Sequence, residues 1–459
     1  MIRYWSVTSG PFRSPVAAIV SLTVAALVLG LALQVADGFY EPRALRALSL
    51  ALVFTIAGVL TMPGDGLVRG RTVLVPIALT AAIGVQLLVL FRSTPGMYIE
   101  EGARLDLFAA GVAIEAALVA AGTLGLRWFT RWWFPAVLAV NIALGVWMLR
   151  ASPHPKIDVV EVHSSALRAL GRGRNPYRIT FRNVYGRDTS FYNPQAVSGD
   201  RVLFGYPYPP LSLLIAAPGQ LLFKDYRYAE LAAFVGAAAL IGYAGASLAA
   251  KLAAVLLLTT PRVFFVLEQG WTEPIGVLML AAMTWAMIRR PAWCPWVGGL
   301  LAVTKQYLGL VAGPLLWRFA LSRSEGAWQF LARAIAAGAL ITLPFALADV
   351  RAFVDTVILL QTKEPFRIES LSFVSWAARA GWGQGSFLWA VGAGLVALTV
   401  VMWRTPNNAA GFAGGLALST FALFAMGSKA FCNYYFFVIG ALCCTLAALI
   451  ASADAAKRA

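Results

Sequence analysis

The polar stretch over residues 156–177 contains the side chains with the clearest chemical potential in this sequence. It contains Asp158 near its start and Arg172 and Arg174 further along. A carboxylate can act as a general base that removes the proton of an acceptor hydroxyl, but an acid at a helix start is also favoured by the helix dipole alone. The arginines could bind a phosphate through paired hydrogen bonds or contact anionic lipid headgroups. The sequence leaves both pairs of alternatives open.

Other ionisable side chains lie inside or beside apolar runs. Glu273, with Glu268 as its rival in the same turn, begins one such run, and Lys305 separates two short ones. An ionisable group at membrane depth indicates function by default, although Lys305 could also mark a hairpin kink that faces water. Lys429 and Tyr434, near the last apolar run, could reach a lipid phosphate, or the lysine could simply extend to the surface.

Aromatic side chains accompany these groups. Tyr177, Tyr206 and Tyr208 follow the arginines, and the same side of the membrane is expected to carry Tyr185, Phe191, Tyr192, Trp271 and Trp376. Rings of this kind can stack on sugars, but tyrosine and tryptophan are also typical of membrane interfaces. The interfacial role is favoured for most of them.

The composition predicts the elements that must position these residues. The chain has 459 residues, of which 60% are hydrophobic and only 13% charged, which indicates a polytopic helical membrane protein. The net charge of +16 resides mostly in short connections between apolar runs, where it sets topology, so a nucleic-acid function is excluded. The four cysteines and two histidines show neither a disulfide framework nor a zinc-site spacing.

Spanning helices need roughly 20 apolar residues, and the sequence contains many runs of suitable length. Five precede the polar stretch, at 16–36, 46–62, 72–91, 107–125 and 131–149. The run 208–222 predicts a juxtamembrane or re-entrant helix, although a full crossing is possible. Later spans are expected at 229–250, 252–267, 274–288, 328–347, 385–403, 410–427 and 431–451, with a hairpin of 293–303 and 306–317 around Lys305.

The distribution of basic residues predicts the orientation. Links carrying Arg3 and Arg13, then Arg69 and Arg71, then Arg127 and Arg131 alternate with acidic links. The expected location is therefore the plasma membrane, with both termini in the cytoplasm. Residues 151–228 then form an external loop whose many arginines break the charge rule, which favours a bound phosphate. An amphipathic helix starting at Asp158 is expected along the membrane surface. The expected units are 1–150, 151–228, 229–347, 348–384 and 385–459.

In this order, the motifs resemble those of the GT-C superfamily of membrane glycosyltransferases, and in particular the bacterial polyprenyl-phosphate-mannose-dependent mannosyltransferases. The resemblance covers residues 156–451. It rests on Asp158, Asn175-Pro176-Tyr177, Tyr206 to Leu211, Thr260 to Phe264, Gly270 to Glu273, Lys305 and Glu369 to Ser372. Two features depart from the family pattern, namely Arg172 in place of a glycine and about five helices, instead of one, before the catalytic loop.

The resemblance implies an all-α GT-C-like bundle with juxtamembrane helices and an inverting glycosyltransferase activity. A sugar, expected to be a hexose such as mannose, would move from a polyprenyl-phosphate donor to a lipid or glycan acceptor at the outer face, with Asp158 as the base. Glu273 falls near a second carboxylate of some relatives. No cofactor is expected, and a divalent metal is not indicated. Cations that would stabilise the leaving phosphate are Arg172, Arg174, Lys305, Lys363, Arg367 and Lys429, and further substrate contacts would come from Asn175, Tyr177, Tyr206, Tyr208, Gln269 and Tyr434.

A transporter or flippase of lipid-linked intermediates is the alternative function. Such a protein is expected to show polar residues deep in several helices and an internal repeat. The sequence shows few such residues and no clear repeat, and it has a large polar loop instead. These features favour the enzyme.

Overall fold

The structure, a computed structural model, describes residues 14–64, 73–126, 129–186, 191–323 and 326–456. Arg3, Arg13, Arg69, Arg71 and Arg127, on which the predicted orientation depends, lie outside the described residues. The orientation of the chain in the membrane therefore stays a prediction.

The N-terminal part contains the five predicted long helices. They are α1 (Pro15–Ala36), α2 (Pro42–Leu60), α3 (Leu74–Arg92), α4 (Leu105–Thr123) and α5 (Trp133–Ala151). The first two begin with proline, after the N-caps Ser14 and Glu41, whose side chains accept hydrogen bonds from backbone N–H groups of the first turn. Capping satisfies donors that have no partner within the helix.

The polar segment after α5 holds the predicted amphipathic helix, α6 (Asp158–Leu170), and the short helix α7 (Pro210–Phe223). One face of α6 is buried, including Val159, Val162 and Ala166. Between these helices lies an antiparallel sheet of β1 (Phe181–Arg182), β2 (Val197–Ser198) and β3 (Arg201–Val202), in the order β1-β3-β2. The sheet was not predicted, because two-residue strands are too short to show an alternating pattern.

The next part of the chain is broken into shorter helices than expected. It contains α8 (Arg227–Gly242), α9 (Leu248–Leu258), α10 (Val263–Glu268), α11 (Glu273–Arg289), α12 (Cys294–Ala302), α13 (Gln306–Leu321) and α14 (Ala327–Ala348). The predicted continuous spans 229–250 and 252–267 are wrong. The first ends at Gly242, and the second is interrupted at Pro261, which lacks an N–H donor, followed by Arg262 at a left-handed φ of 66°.

The C-terminal part is built around a long buried helix. It contains α15 (Val350–Val354), a π-helical turn (Asp355–Leu359), α16 (Leu360–Lys363), α17 (Phe373–Arg379), α18 (Phe387–Arg404), α19 (Ala409–Ala425) and α20 (Cys432–Ala456). Helix α20 is buried over most of its length and contacts α1, α9, α11 and α19. It therefore forms the centre of the bundle.

Among the described residues, eight helices are long and apolar enough to cross a membrane. Several carry large apolar side chains on their outer faces, such as Leu340, Val396 and Trp403, which are 66–77% exposed. In water such a surface would be unfavourable, whereas lipid would cover it. The chain is therefore an all-α, multi-pass membrane protein, as the composition predicts.

The connections that contain Tyr40, Tyr98, Lys156 and Glu369 meet at one end of the bundle, which we name the loop end. Here Tyr40 donates its backbone N–H to the carbonyl of Glu369 at 2.7 Å. The hydroxyl of Tyr98 donates to the carbonyl of Lys156 at 3.1 Å. These hydrogen bonds join connections that are distant in sequence, so the segments that carry the candidate catalytic residues are held together at this end.

The contact between α12 and α14 depends on Gly299. A Cβ atom at this position would lie 2.0 Å from the carbonyl oxygen of Ala334. We expect Gly299→Ala to push the two helices apart and to lower the free energy of unfolding by about 1–3 kcal/mol. The measurement is thermal unfolding in detergent. Gly392→Ala is the matched control, because a Cβ there meets nothing within 4 Å; an equal loss in both variants would contradict the close packing.

Candidate functional site

A cavity of about 360 Å³ opens at the loop end, within the size range of small-molecule sites. Its polar wall carries two ammonium groups, a carboxylate and two tyrosines, namely Lys305, Lys429, Glu364, Tyr208 and Tyr434. Its apolar wall comes mainly from α13, α18 and α19 and comprises Leu310, Phe366, Phe387, Ala390, Val391, Leu423 and Phe424. A cavity with these two walls suits a molecule that has an anionic head and an apolar chain.

Lys305 is held by a buried ion pair. Its Nζ lies 3.1 Å from Oε1 of Glu273, and the two side chains are only 5% and 0% exposed. The same Nζ lies 4.0 Å from the ring centroid of Tyr208, a cation–π distance. Glu273 is the first residue of α11 and Lys305 immediately precedes α13, so the pair joins the starts of two helices.

A second buried acid stands close to this ion pair. Glu230 of α8 is fully buried, and the charges that act on it most strongly are those of Glu273 and Lys305. Because burying an uncompensated charge is costly, Lys305 is the group that makes this cluster of two acids tolerable.

Lys429 has a more accessible partner. It forms an ion pair with Glu364, and the two side chains are 25% and 23% exposed. Its Nζ also lies 3.5 Å from the carbonyl oxygen of Gln361. Lys429 belongs to the turn between α19 and α20, and Glu364 directly follows α16. Both groups of this ion pair therefore line the cavity and remain accessible to water.

Asp158 is partly buried at the start of α6 and is not among the residues that line the cavity. Tyr185 donates its hydroxyl to Oδ1 at 3.2 Å, and Tyr192 donates to Oδ2 at 3.0 Å. Burial raises the pKa of the Asp158 carboxyl, the two tyrosine hydrogen bonds oppose this shift, and the charge of Glu364 adds to it. Since Glu364 lines the cavity, it connects the cavity electrostatically to Asp158.

The aromatic rings of His163, Tyr206 and Tyr226 pack together at α6. The ring of His163 stacks on that of Tyr226 at 4.3 Å, and its Nε2 lies 3.1 Å from the hydroxyl of Tyr206. Burial lowers the pKa of His163 to about 3, so the imidazole is neutral at physiological pH. The hydroxyl of Tyr206 also lies 2.8 Å from Oγ of Ser212. These contacts fix the position of the helix that carries Asp158.

Several predicted substrate-binding residues lie away from the cavity wall. Tyr177 and Tyr206 are 2% and 0% exposed within the aromatic packing, and the hydroxyl of Tyr177 donates to the carbonyl of Tyr208 at 3.0 Å. Asn175 caps the short helix that follows it by accepting from the N–H of Tyr177. Arg172 and Arg174 lie in an exposed turn after α6. The structure thus brings none of these five predicted residues, Tyr177, Tyr206, Asn175, Arg172 and Arg174, into the cavity lining that contains Lys305 and Lys429.

Glu268, the alternative to Glu273 as the functional acid, and Gln269 form hydrogen bonds that join two parts of the chain. The Glu268 carboxylate accepts the backbone N–H groups of Met97 and Tyr98, both at 2.7 Å. Gln269 donates its side-chain amide to the same carboxylate at 3.2 Å. Glu268 therefore holds the connection between α3 and α4 against α10, whereas Glu273 is the acid next to the cavity.

Lys363 and Arg367 belong to contacts between the two large polar loops. The side chain of Lys363 is exposed, and its carbonyl oxygen accepts a hydrogen bond from Asn193 at 3.0 Å. Arg367 forms an ion pair with Glu369 and lies 4.5 Å from the ring centroid of Phe191. Neither basic side chain lines the cavity.

Sequence reasoning missed Glu364, Glu230 and the hydrogen-bonding roles of Tyr185 and Tyr192. Glu230 carried a usable signal, because it is an acid inside an apolar run and such acids indicate function by default. The two tyrosines were predicted only as aromatics of the same face. Glu364 gave no local signal, since its partner lies 65 residues further along the chain.

Comparisons of the chain with protein families, with curated proteins and with solved structures found no match. In the part of the chain that the structure describes, no three His, Cys, Asp or Glu side chains are grouped in a way that could hold a metal ion. The geometry of the site and the sequence motifs are therefore the basis for proposing a function.

Removal of the Lys305 ammonium tests the buried cluster. We expect Lys305→Met to lower the free energy of unfolding by about 3–5 kcal/mol, because it leaves a buried carboxylate without its cation. The double variant Lys305→Met/Glu273→Gln should regain part of this loss. Thermal unfolding in detergent provides the measurement, with Lys224→Met as the exposed control. A loss in the single variant no larger than in the control would show that the pair is dispensable.

Proposed function

We propose that this protein is an inverting glycosyltransferase that moves a sugar from a polyprenyl-phosphate donor to the hydroxyl of an acceptor. The observation that supports this most directly is the cavity, whose lining combines the ammonium groups of Lys305 and Lys429 with a set of apolar side chains. The charge of Asp158 interacts with that of Glu364 in the cavity lining, which supports its assignment as the base for the acceptor. The order of the sequence motifs, which resembles that of the GT-C superfamily, supports the same function.

The shape and chemistry of the cavity fit the donor. The phosphate would lie near the two ammonium groups, which attract its charge. The isoprenoid chain would follow the apolar wall, where Leu310 of α13 is 42% exposed and Phe387 of α18 is 58% exposed. Because these side chains face outward at the edge of the cavity, a long chain can continue from there into the lipid.

The reaction follows from the groups at the polar wall. Asp158 removes the proton of the acceptor hydroxyl, the hydroxyl oxygen attacks the anomeric carbon, and the bond from this carbon to the phosphate oxygen breaks. The polyprenyl phosphate leaves with the bonding electrons, and the ammonium groups of Lys305 and Lys429 stabilise its increased negative charge. A base with a raised pKa removes a hydroxyl proton more readily than an ordinary carboxylate.

The finer assignments rest on the sequence. A hexose such as mannose, a lipid or glycan acceptor and a GT-C-like arrangement of helices come from the resemblance. The outer face of the plasma membrane as the side of the reaction comes from the distribution of basic residues. Glu273 acts in this proposal as the partner that holds Lys305, and not as a second base.

A flippase of lipid-linked intermediates remains the second candidate, because acids are buried inside the bundle. Glu115 of α4, for example, is fully buried and accepts a hydrogen bond from Asn141 of α5 at 2.8 Å. A flippase would move the lipid without forming a glycosidic bond. Assays of transfer and of lipid movement on the same reconstituted protein therefore separate the two functions.

Replacement of the proposed base tests the mechanism. We expect Asp158→Asn to reduce sugar transfer by a factor of about 10² or more, while binding of the donor is retained. The measurement is transfer of labelled sugar from polyprenyl-phosphate sugars by the purified chain in liposomes. Glu161→Gln is the control, because Glu161 lies on the same helix and pairs with Arg168 at the surface. Transfer by Asp158→Asn at the wild-type rate would exclude this mechanism.

The pH dependence of transfer tests the hydrogen bonds to Asp158. Because the base acts in its ionised form, activity should rise with pH through its pKa, which burial raises. Tyr192→Phe removes a hydrogen bond that stabilises the carboxylate, so the acidic limb of kcat/KM should move to higher pH by about half to one unit. Tyr228→Phe on α8, whose ring packs on Phe223, serves as the control. A shift to lower pH, or none, would contradict this role of Tyr192.

A further inference from the structure

The cavity contains two lysines, and each already has a carboxylate partner. Lys305 is paired with Glu273, and Lys429 is paired with Glu364. An anionic ligand can pair with one of these ammonium groups in two ways. It can bind to the lysine together with the carboxylate, or it can take the place of the carboxylate. The surroundings of the two acids decide which lysine can exchange its partner.

The pair of Lys305 with Glu273 is fixed in place. The Glu273 side chain is fully buried, and Glu230 brings a second buried acid close to it. If Glu273 lost Lys305, its carboxylate would remain buried in an apolar environment without a cation, which is strongly unfavourable. Glu273 therefore cannot give way to a ligand.

The pair of Lys429 with Glu364 is open to exchange. Both side chains are about a quarter exposed, and both line the cavity. Glu364 begins the non-helical segment between α16 and α17, so it is not held within a helix. A carboxylate that leaves this position can be solvated, and an ion pair that water can reach contributes less stability than a fully buried one such as that of Lys305 with Glu273. The cost of breaking this pair is therefore small.

We propose that Glu364 is a built-in counter-ion that occupies the place of the ligand's phosphate on Lys429 and is displaced when the ligand binds. This inference rests on the proposed function, because it assigns the phosphate position of the lipid donor. A sugar phosphodiester carries one negative charge, so its exchange with the Glu364 carboxylate leaves the charge of the site unchanged. The phosphate monoester that remains after transfer carries about 1.5 to 2 negative charges.

The exchange has a consequence for the product. The monoester, with its larger charge, would bind to the two lysines more tightly than the donor does. Glu364 competes for Lys429 and thereby lowers the affinity for the product, which favours its release. Glu364 is thus a specificity-determining residue that sets how strongly phosphate-bearing lipids are retained, without contacting the reacting carbon.

Binding of farnesyl phosphate, a short isoprenoid monoester without a sugar, tests the exchange independently of transfer. The measurement is equilibrium binding of the radiolabelled compound to the full chain in nanodiscs, with empty nanodiscs as the blank. We expect Glu364→Gln to tighten binding roughly three- to tenfold, the range for losing a competing, partly exposed ion pair. Lys429→Met should weaken binding about tenfold or more, and in that background Glu364→Gln should have no further effect.

Control variants and ligands separate the possible outcomes. Asp355→Asn removes the acid of an exposed ion pair with Arg351 outside the cavity wall and should leave binding unchanged. Farnesol and inorganic phosphate should each compete weakly, which identifies the lipid phosphate as the ligand. Glu364→Ala provides a second variant if Glu364→Gln is poorly folded. Unchanged or weaker binding of farnesyl phosphate in both Glu364 variants would overturn the exchange. If the Glu364 variants bind more tightly as expected but the wild-type chain transfers no sugar, the proposed function is overturned and the exchange stands.

Discussion

The ion pair between Lys305 and Glu273 is the constraint on which the loop end of the bundle depends. An ammonium group in an apolar bundle is tolerated only beside an opposite charge, and Glu273 provides it at 3.1 Å. Because these residues stand at the starts of α13 and α11, their pairing brings two helix ends to one point. Lys305, only 5% exposed, and the ring of Tyr208, 4.0 Å from its Nζ, form a buried part of the polar lining of the cavity. An anionic group in the cavity would find a cation whose position does not depend on mobile surface contacts.

The polar loops build the rest of the site around this point. The first loop holds Asp158 through the hydroxyl groups of Tyr185 and Tyr192, and the second provides Glu364. Arg178 and Asp349 form an ion pair that joins the two loops. An acid with a raised pKa is thereby held within electrostatic reach of Glu364, the partner of Lys429 in the cavity lining, although these residues come from distant parts of the chain. This combination of base, cations and apolar wall is what distinguishes the site from an ordinary lipid-facing groove.

The sequence predicts the helices well where hydropathy is uninterrupted, and less well where a short connection is itself apolar. The predicted spans before residue 151 agree with α1–α5, whereas the apolar connections near Gly242 and Pro261 concealed two breaks. For the site, Lys305 and Lys429 could be selected because ionisable groups are rare in apolar runs. The arginines of the polar stretch were selected as phosphate ligands from their chemistry, from the local break of the charge rule and from the resemblance, but the structure places Arg172 and Arg174 outside the cavity lining. Pairing of side chains across the fold, as for Glu364, could not be predicted from one sequence, because no local pattern records it.

The position of a bound lipid phosphate tests the central claim most directly. A cryo-EM map of the chain with a non-hydrolysable polyprenyl-phosphate sugar analogue should show the phosphate between Lys305 and Lys429. The apolar chain should follow Leu310 and Phe387 into the lipid, and the anomeric carbon should lie near Asp158. Phosphate density elsewhere, or an empty cavity at saturating analogue, would contradict the account.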